Sequence, residues 1–127
     1  MAQFVNTLRN FEDFMQLGGV SNDEIKKAEE RLGVGFAEEY KEYLRECGAA
    51  TADGHEYTGI CKAKRLDVVL VTEKERSAEL EISDSAYVVE QTHMDGIVIW
   101  QTTDGAIYQS HENSFKKINN SLAEYVG

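Results

Sequence analysis

Ser21-Asn22-Asp23-Glu24-Ile25-Lys26-Lys27-Ala28-Glu29-Glu30-Arg31-Leu32-Gly33, followed after two residues by Phe36-Ala37-Glu38-Glu39-Tyr40-Lys41-Glu42-Tyr43-Leu44-Arg45-Glu46-Cys47-Gly48, decides the fold class. Ser21 with Glu24 three residues on is a capping box, which satisfies free amides at a helix start. Ile25, Ala28 and Leu32 follow at helical spacing, and Gly33 supplies the left-handed position that ends such a helix. In the second block Phe36, Tyr40, Tyr43, Leu44 and Cys47 share one face and Gly48 stops the run. Glu38, Glu39, Lys41, Glu42, Arg45 and Glu46 form its wet face, with acids and bases interleaved.

Outward toward the N-terminus, Phe4, Leu8, Phe11 and Met15 predict a further helix, stopped by Gly18-Gly19. Toward the C-terminus the period changes. Residues 49–54 read as a loop and 55–60 as a short strand. The run 66–72 reads either way: its β-branched content favours a strand, while Val69, Thr72, Arg76 and Leu80 have helical spacing. Residues 73–80 look helical, with Asp67 or Thr72 as possible N-caps. Ala86 to Gln91 and Ile97 to Trp100 are predicted strands, Thr103-Asp104-Gly105 is a tight hairpin turn, and 105–110 is the returning strand. Phe115, Ile118, Leu122 and Val126 predict a C-terminal helix capped near Asn113 or Ser114. The expectation is one α+β domain over residues 1–127, an antiparallel sheet flanked by N-terminal helices and a C-terminal helix.

A chain of 127 residues suits one domain with its own core. No apolar run approaches the roughly 20 residues of a membrane helix. Met1 to Arg9 has no basic region followed by an apolar block, so no secretory signal is expected and the location is read as cytoplasmic. Cys47 and Cys61 cannot build a disulfide framework and are expected as reduced, buried thiols. Thirteen Lys and Arg stand against 23 Asp and Glu, a net charge of −10. Nucleic acid is bound through phosphate neutralisation by Lys and Arg, so it is disfavoured as a partner.

Catalytic motifs are absent: no Gly-rich phosphate loop, no Gly-x-Ser-x-Gly, no His-Glu-x-x-His. Asp53-Gly54-His55-Glu56 is the densest polar constellation, readable as a metal or acid–base site or as a loop entering a strand. His93 and His111 near Asp95, Asp104 and Glu112 pose the same choice, with no spacing that demands chemistry. A nucleophilic thiol at Cys47 or Cys61 would need a lowered pKa and a base. No catalytic residue, metal or cofactor is assigned. One distribution does stand out. From Ser77 to Phe115 there is no Lys or Arg, while Glu79, Glu81, Asp84, Glu90, Asp95, Asp104 and Glu112 supply seven acids. The sheet half is therefore expected to present a negative field that steers a cationic partner; the alternative is an acidic surface kept for solubility.

Ile25-x-x-Ala28-Glu29-x-x-Leu32-Gly33, Glu39-Tyr40-Lys41-x-Tyr43-Leu44, Gly48 and Glu56-x-x-Gly59-Ile60 resemble the SUKH superfamily, the Smi/Knr-type domains. Val68-Val69-x-x-Thr72-x-x-x-Arg76, Gly105-x-Ile107-Tyr108 and Ser114-Phe115 resemble its second half, so the likeness runs from about residue 20 to 126. Where members commonly carry proline before the Tyr-Lys helix, this chain has Phe36-Ala37. The resemblance implies a non-catalytic α+β domain and, in bacteria, an immunity protein that neutralises a polymorphic toxin, often a nuclease. Other members imply a regulatory interaction module without a toxin. The motif residues look structural. Joined to the charge reading, this gives a basic toxin as the expected partner, with Glu56, Glu81, Asp84, Glu90, Asp95 and Asp104 as acidic contacts and Tyr57 and Trp100 as apolar anchors. Trp100 also fits core packing, and an exposed strand edge leaves the oligomeric state open.

Overall fold

The computed structural model describes residues 3–78, 85–112 and 114–127. The chain runs α1 (Gln3–Arg9), β1 (Met15–Gln16), α2 (Asn22–Leu32), α3 (Glu38–Cys47), β2 (Ala50–Ala52), β3 (His55–Tyr57), a 3-10 turn (Lys64–Leu66), α4 (Val68–Ala78), β4 (Ala86–Gln91), β5 (Val98–Thr102), β6 (Ile107–His111), β7 (Ser114–Asn119) and α5 (Leu122–Val126). The seven strands form one antiparallel meander in chain order. The fold class is the expected α+β.

Both deciding helices form where their caps place them. Ser21 Oγ accepts the Glu24 amide and Glu24 reaches back to the Ser21 amide. Gly33 ends α2 at φ 71, a conformation that costs a side-chain-bearing residue about 1 kcal/mol or more. On one face of the sheet lie α1, α3 and α5, with Phe4, Leu8, Tyr40, Tyr43, Leu44, Tyr87, Ile99 and Leu122 in the core between them. Val71 of α4 packs on the other face against Ala86, Val88, Val98 and Trp100, flanked by Tyr108 and Phe115.

Tyrosine hydroxyls tie α3 to the sheet. Tyr43 donates to the Thr58 carbonyl at 2.8 Å and accepts the Ala50 amide at 2.9 Å; Tyr40 shares a hydrogen bond with Thr58 Oγ1. Burial pushes both phenols well above their ordinary pKa, so they remain neutral donors. Three backbone segments then meet without side chains between them. A Cβ on Gly59 would sit 1.7 Å from the Gly48 carbonyl oxygen, one on Gly48 2.0 Å from the Gly18 oxygen, and one on Gly19 1.9 Å from the Arg45 oxygen.

Three local expectations are corrected and one open reading is resolved. The C-terminal helix predicted from Phe115 is a strand, β7, followed by a short helix: Tyr108 stacks on Phe115 at 4.9 Å and β6 pairs along Ser114–Asn119, so strand pairing overrides the helical spacing. Ser114 opens that strand, Ser121 caps α5, and Asn113 lies outside the described residues. The first helix stops at Arg9, and Met15 belongs to β1 at the sheet edge. Residues 50–52 are a strand, read as loop because three small residues carry no alternation. Residues 68–72 resolve as helix, with the Asp67 carboxylate accepting the Val69 and Leu70 amides; Leu80 lies outside the described residues.

Candidate functional site

In a meander, alternate connections share an end of the sheet. Here the β2–β3 turn, the β4–β5 loop and the β6–β7 turn gather at one end. Asp53-Gly54 is a two-residue turn with φ of 54° and 76°, the left-handed pair that Asp-Gly suits. The Asp13 carboxylate accepts its two amides at 2.6 and 3.0 Å, which holds the Asp13 carboxyl below its ordinary pKa. Asp95 and Gly96, at φ 54° and 72°, turn the β4–β5 loop, closed by the Ile97 amide on the Met94 carbonyl. Glu112 sits in the β6–β7 turn at φ 56°. Asp13, Asp53, Asp95 and Glu112 thus stand at one rim.

Beneath that rim is a groove of about 510 Å³ lined by Asp13, Thr51, His55, Glu56, Glu90, His93 and Met94 among others. Its floor exists because of a bulge in β4. Val88 opposes Trp100, but Glu90 opposes Ile99, leaving Val89 as the extra residue. Strict alternation would send Glu90 to the face that holds Trp100; the bulge turns it to the helical face instead. There Glu90, only 2% exposed, accepts the Tyr125 hydroxyl at 2.7 Å and meets His55 Nδ1 at 2.5 Å. Burial, then the bond to Glu90, pushes the Tyr125 phenol upward in pKa. His55 stacks on Tyr57 and separates the groove from a smaller cavity of about 270 Å³ bounded by Phe11, Tyr57 and Tyr125.

An imidazole oriented by a carboxylate has half of a general base's equipment. The partners it would need lie elsewhere. Asp53 is in the turn, His55 engages Glu90, and Glu56 pairs with Arg65. Among the described residues no group of three or more His, Cys, Asp and Glu side chains is placed to hold a metal. Burial pushes the Cys47 and Cys61 thiols up in pKa, against nucleophilic use.

The anticipated contact residues scatter. Glu56 and Glu90 line the groove and Asp95 stands on its rim. Asp104 lies at the opposite end of β5, where its carboxylate binds Thr102 Oγ1 and the Ala106 amide. That turn is not the two-residue kind: only Gly105 has positive φ. Tyr57 is buried beside His55. Trp100 is 0% exposed, with its indole N–H on Ser110 Oγ, which makes it a core residue and corrects its reading as a surface anchor. Glu81 and Asp84 lie outside the described residues. Asp13 and exposed Met94 were missed: Asp13 carries no local pattern, and Met94 is one apolar residue in a polar loop.

A family model described as SUKH_5, SMI1-KNR4 cell-wall, matches residues 1–127. The chain belongs to this SUKH family. A comparison with curated proteins returns no match. The motif residues of this SUKH domain are builders. Glu29 accepts the Phe36 amide at 2.8 Å, so the side chain of α2 sets the approach to α3. Glu39, read as part of a wet face, instead accepts the Leu122 amide and Gln101 Nε2, and so caps α5 from another helix. Thr72 Oγ1 accepts the Val88 amide, and Arg76 donates to the Leu32 and Ala86 carbonyls. Among the described residues no helix is long and apolar enough to cross a membrane.

Proposed function

We propose that this SUKH domain is an immunity protein that neutralises a cognate cationic toxin, of the nuclease class, by stoichiometric binding at the acidic rim and groove. The observation that carries the reading is the convergence of Asp13, Asp53, Asp95 and Glu112 from separate loops at one end of the sheet, over a groove in which Glu56 answers Arg65 and Glu90 is buried against His55 and Tyr125. None of those turns carries a Lys or Arg. Family membership agrees with a binding rather than a catalytic role. Asp104, at the far end, takes no part, and the surface is accordingly smaller than the whole acidic segment.

A nuclease cleft is lined with cations for its phosphate substrate, and a rim of carboxylates competes for those cations. Long-range attraction sets the on-rate, while Met94 and the groove floor contribute short-range contact. The test is co-expression with the product of the adjacent gene, scored for growth rescue and a co-purified complex, followed by association kinetics across a salt series. Asp95→Asn and Asp53→Asn keep the left-handed backbone, which Asn tolerates. The pair is expected to slow association several-fold at low salt and to flatten its salt dependence. A salt-independent on-rate that the two substitutions leave unchanged refutes the proposal.

A further inference from the structure

Far from the rim, two grooves share Ile60 as a wall. One, of about 690 Å³, is lined by Leu17, Val20, Ile60 and Lys62. The other, of about 250 Å³, is lined by Ile60, Leu70, Lys27 and Arg31. Leu17 is 56% exposed and Leu70 38% exposed, two of the four large apolar side chains that the described residues leave in solvent. Gly18, on the wall of the larger groove, Gly48 and Gly59 bring three backbones together with no side chains between them.

The charges around this strip are unlike those of the rest of the molecule. Glu24 and Asp67 border it, but each carboxylate is engaged in a helix cap: Glu24 accepts the Ser21 amide, and Asp67 accepts the Val69 and Leu70 amides. Arg31 answers Glu73. Among the described residues Lys27 and Lys62 form no ion pair, and Lys64 follows at once. An apolar strip flanked by unpaired lysines is therefore present on a chain of net charge −10.

We propose that this strip docks an amphipathic, acidic helix of a partner protein, with its apolar stripe on Leu17, Ile60 and Leu70 and its carboxylates toward Lys27 and Lys62. The grooves follow α2 from Glu24 to Arg31, seven residues or about 10 Å of helical rise. That is the span from i to i+7, so anchors at i, i+3 or i+4, and i+7 match its length. The surface is separate from the acidic rim, and its use does not depend on what the rim binds.

The test uses the full chain and a labelled 18-residue probe with leucines at i, i+3, i+4 and i+7 and glutamates elsewhere, read by fluorescence anisotropy. A probe of the same composition in scrambled order is the control. The striped probe is expected to bind at least tenfold tighter than the scrambled one. Leu17→Asp, and separately Lys27→Glu with Lys62→Glu, should each weaken it at least tenfold, while Asp95→Asn at the rim changes it less than twofold. Equal binding of the two probes, or indifference to both groove variants, overturns the proposal. Light scattering supplies the other refutation: a concentration-dependent dimer abolished by Leu17→Asp would give the strip to a second copy of the chain.

Discussion

Replacing Gly59 with alanine tests the packing that underlies both faces of the molecule. An alanine Cβ would stand 1.7 Å from the Gly48 oxygen, 2.7 Å from the Gly48 carbonyl carbon and 2.9 Å from the Ala49 Cα, all backbone atoms. Contacts below 3.0 Å are not tolerated, so the two segments must part by more than about 1 Å. That separation breaks the 2.9 Å bond from the Ile60 amide to the Gly48 carbonyl and strains those from Gly59 to Leu66 and from Val68 to Gly59. Overpacking costs about 1–3 kcal/mol and a lost buried hydrogen bond about 1 kcal/mol more, so the expected loss is about 2–4 kcal/mol. A domain of this size has about 5–15 kcal/mol in total. The corresponding fall in Tm is about 8–16 °C. Trp100, the only tryptophan and fully buried, reports unfolding by fluorescence in urea. Gly33→Ala is the control: its Cβ would meet nothing within 4 Å, so only the left-handed φ is penalised, about 1 kcal/mol. If Gly59→Ala costs no more than Gly33→Ala, the close-approach argument is wrong.

Glu39→Ala should destabilise the fold by about 1–3 kcal/mol and selectively speed hydrogen exchange at the Leu122 and Ala123 amides, which lose their acceptor. Trp100→Ala should cost about 3–5 kcal/mol in urea unfolding, the signature of a core residue. The Asp13 carboxyl has a folded pKa below its ordinary value, so the stability it lends the Asp53-Gly54 turn is complete above roughly pH 4. That contribution is lost as pH falls through the folded value; amide exchange at residues 53 and 54 should show it, and Asp13→Asn should remove it. Both thiols, raised in pKa by burial, should react slowly with iodoacetamide at pH 7 in the native protein and readily in urea.

Much of the first half of the fold is legible locally. A capping box, a stripe and a terminating glycine are all carried within a dozen residues, and α2 and α3 appear where those signals stand. The strands around Trp100 are legible for a related reason, since β-branched runs broken by Asp-Gly need little context. Phe115, Ile118 and Leu122 misled because three- to four-residue spacing also occurs in a strand that bends into a helix. Their neighbour in space, Tyr108 on β6, decides the matter.

By itself the sequence determined the fold class, the family, the excess of acid and the caps of α2, because each depends on residue type and short-range order. The tertiary structure alone decided where the charges stand. Meander topology sends Asp95 and Asp104 to opposite ends of β5, although they are only nine positions apart in a uniformly acidic segment. One extra residue at Val89 reverses the face of Glu90 and gives it His55 and Tyr125, which lie 35 positions away on either side. Glu39 became a cap for a helix over 80 residues later. Register, bulges and distant caps are set by which segments pack together, and a linear pattern does not encode that directly.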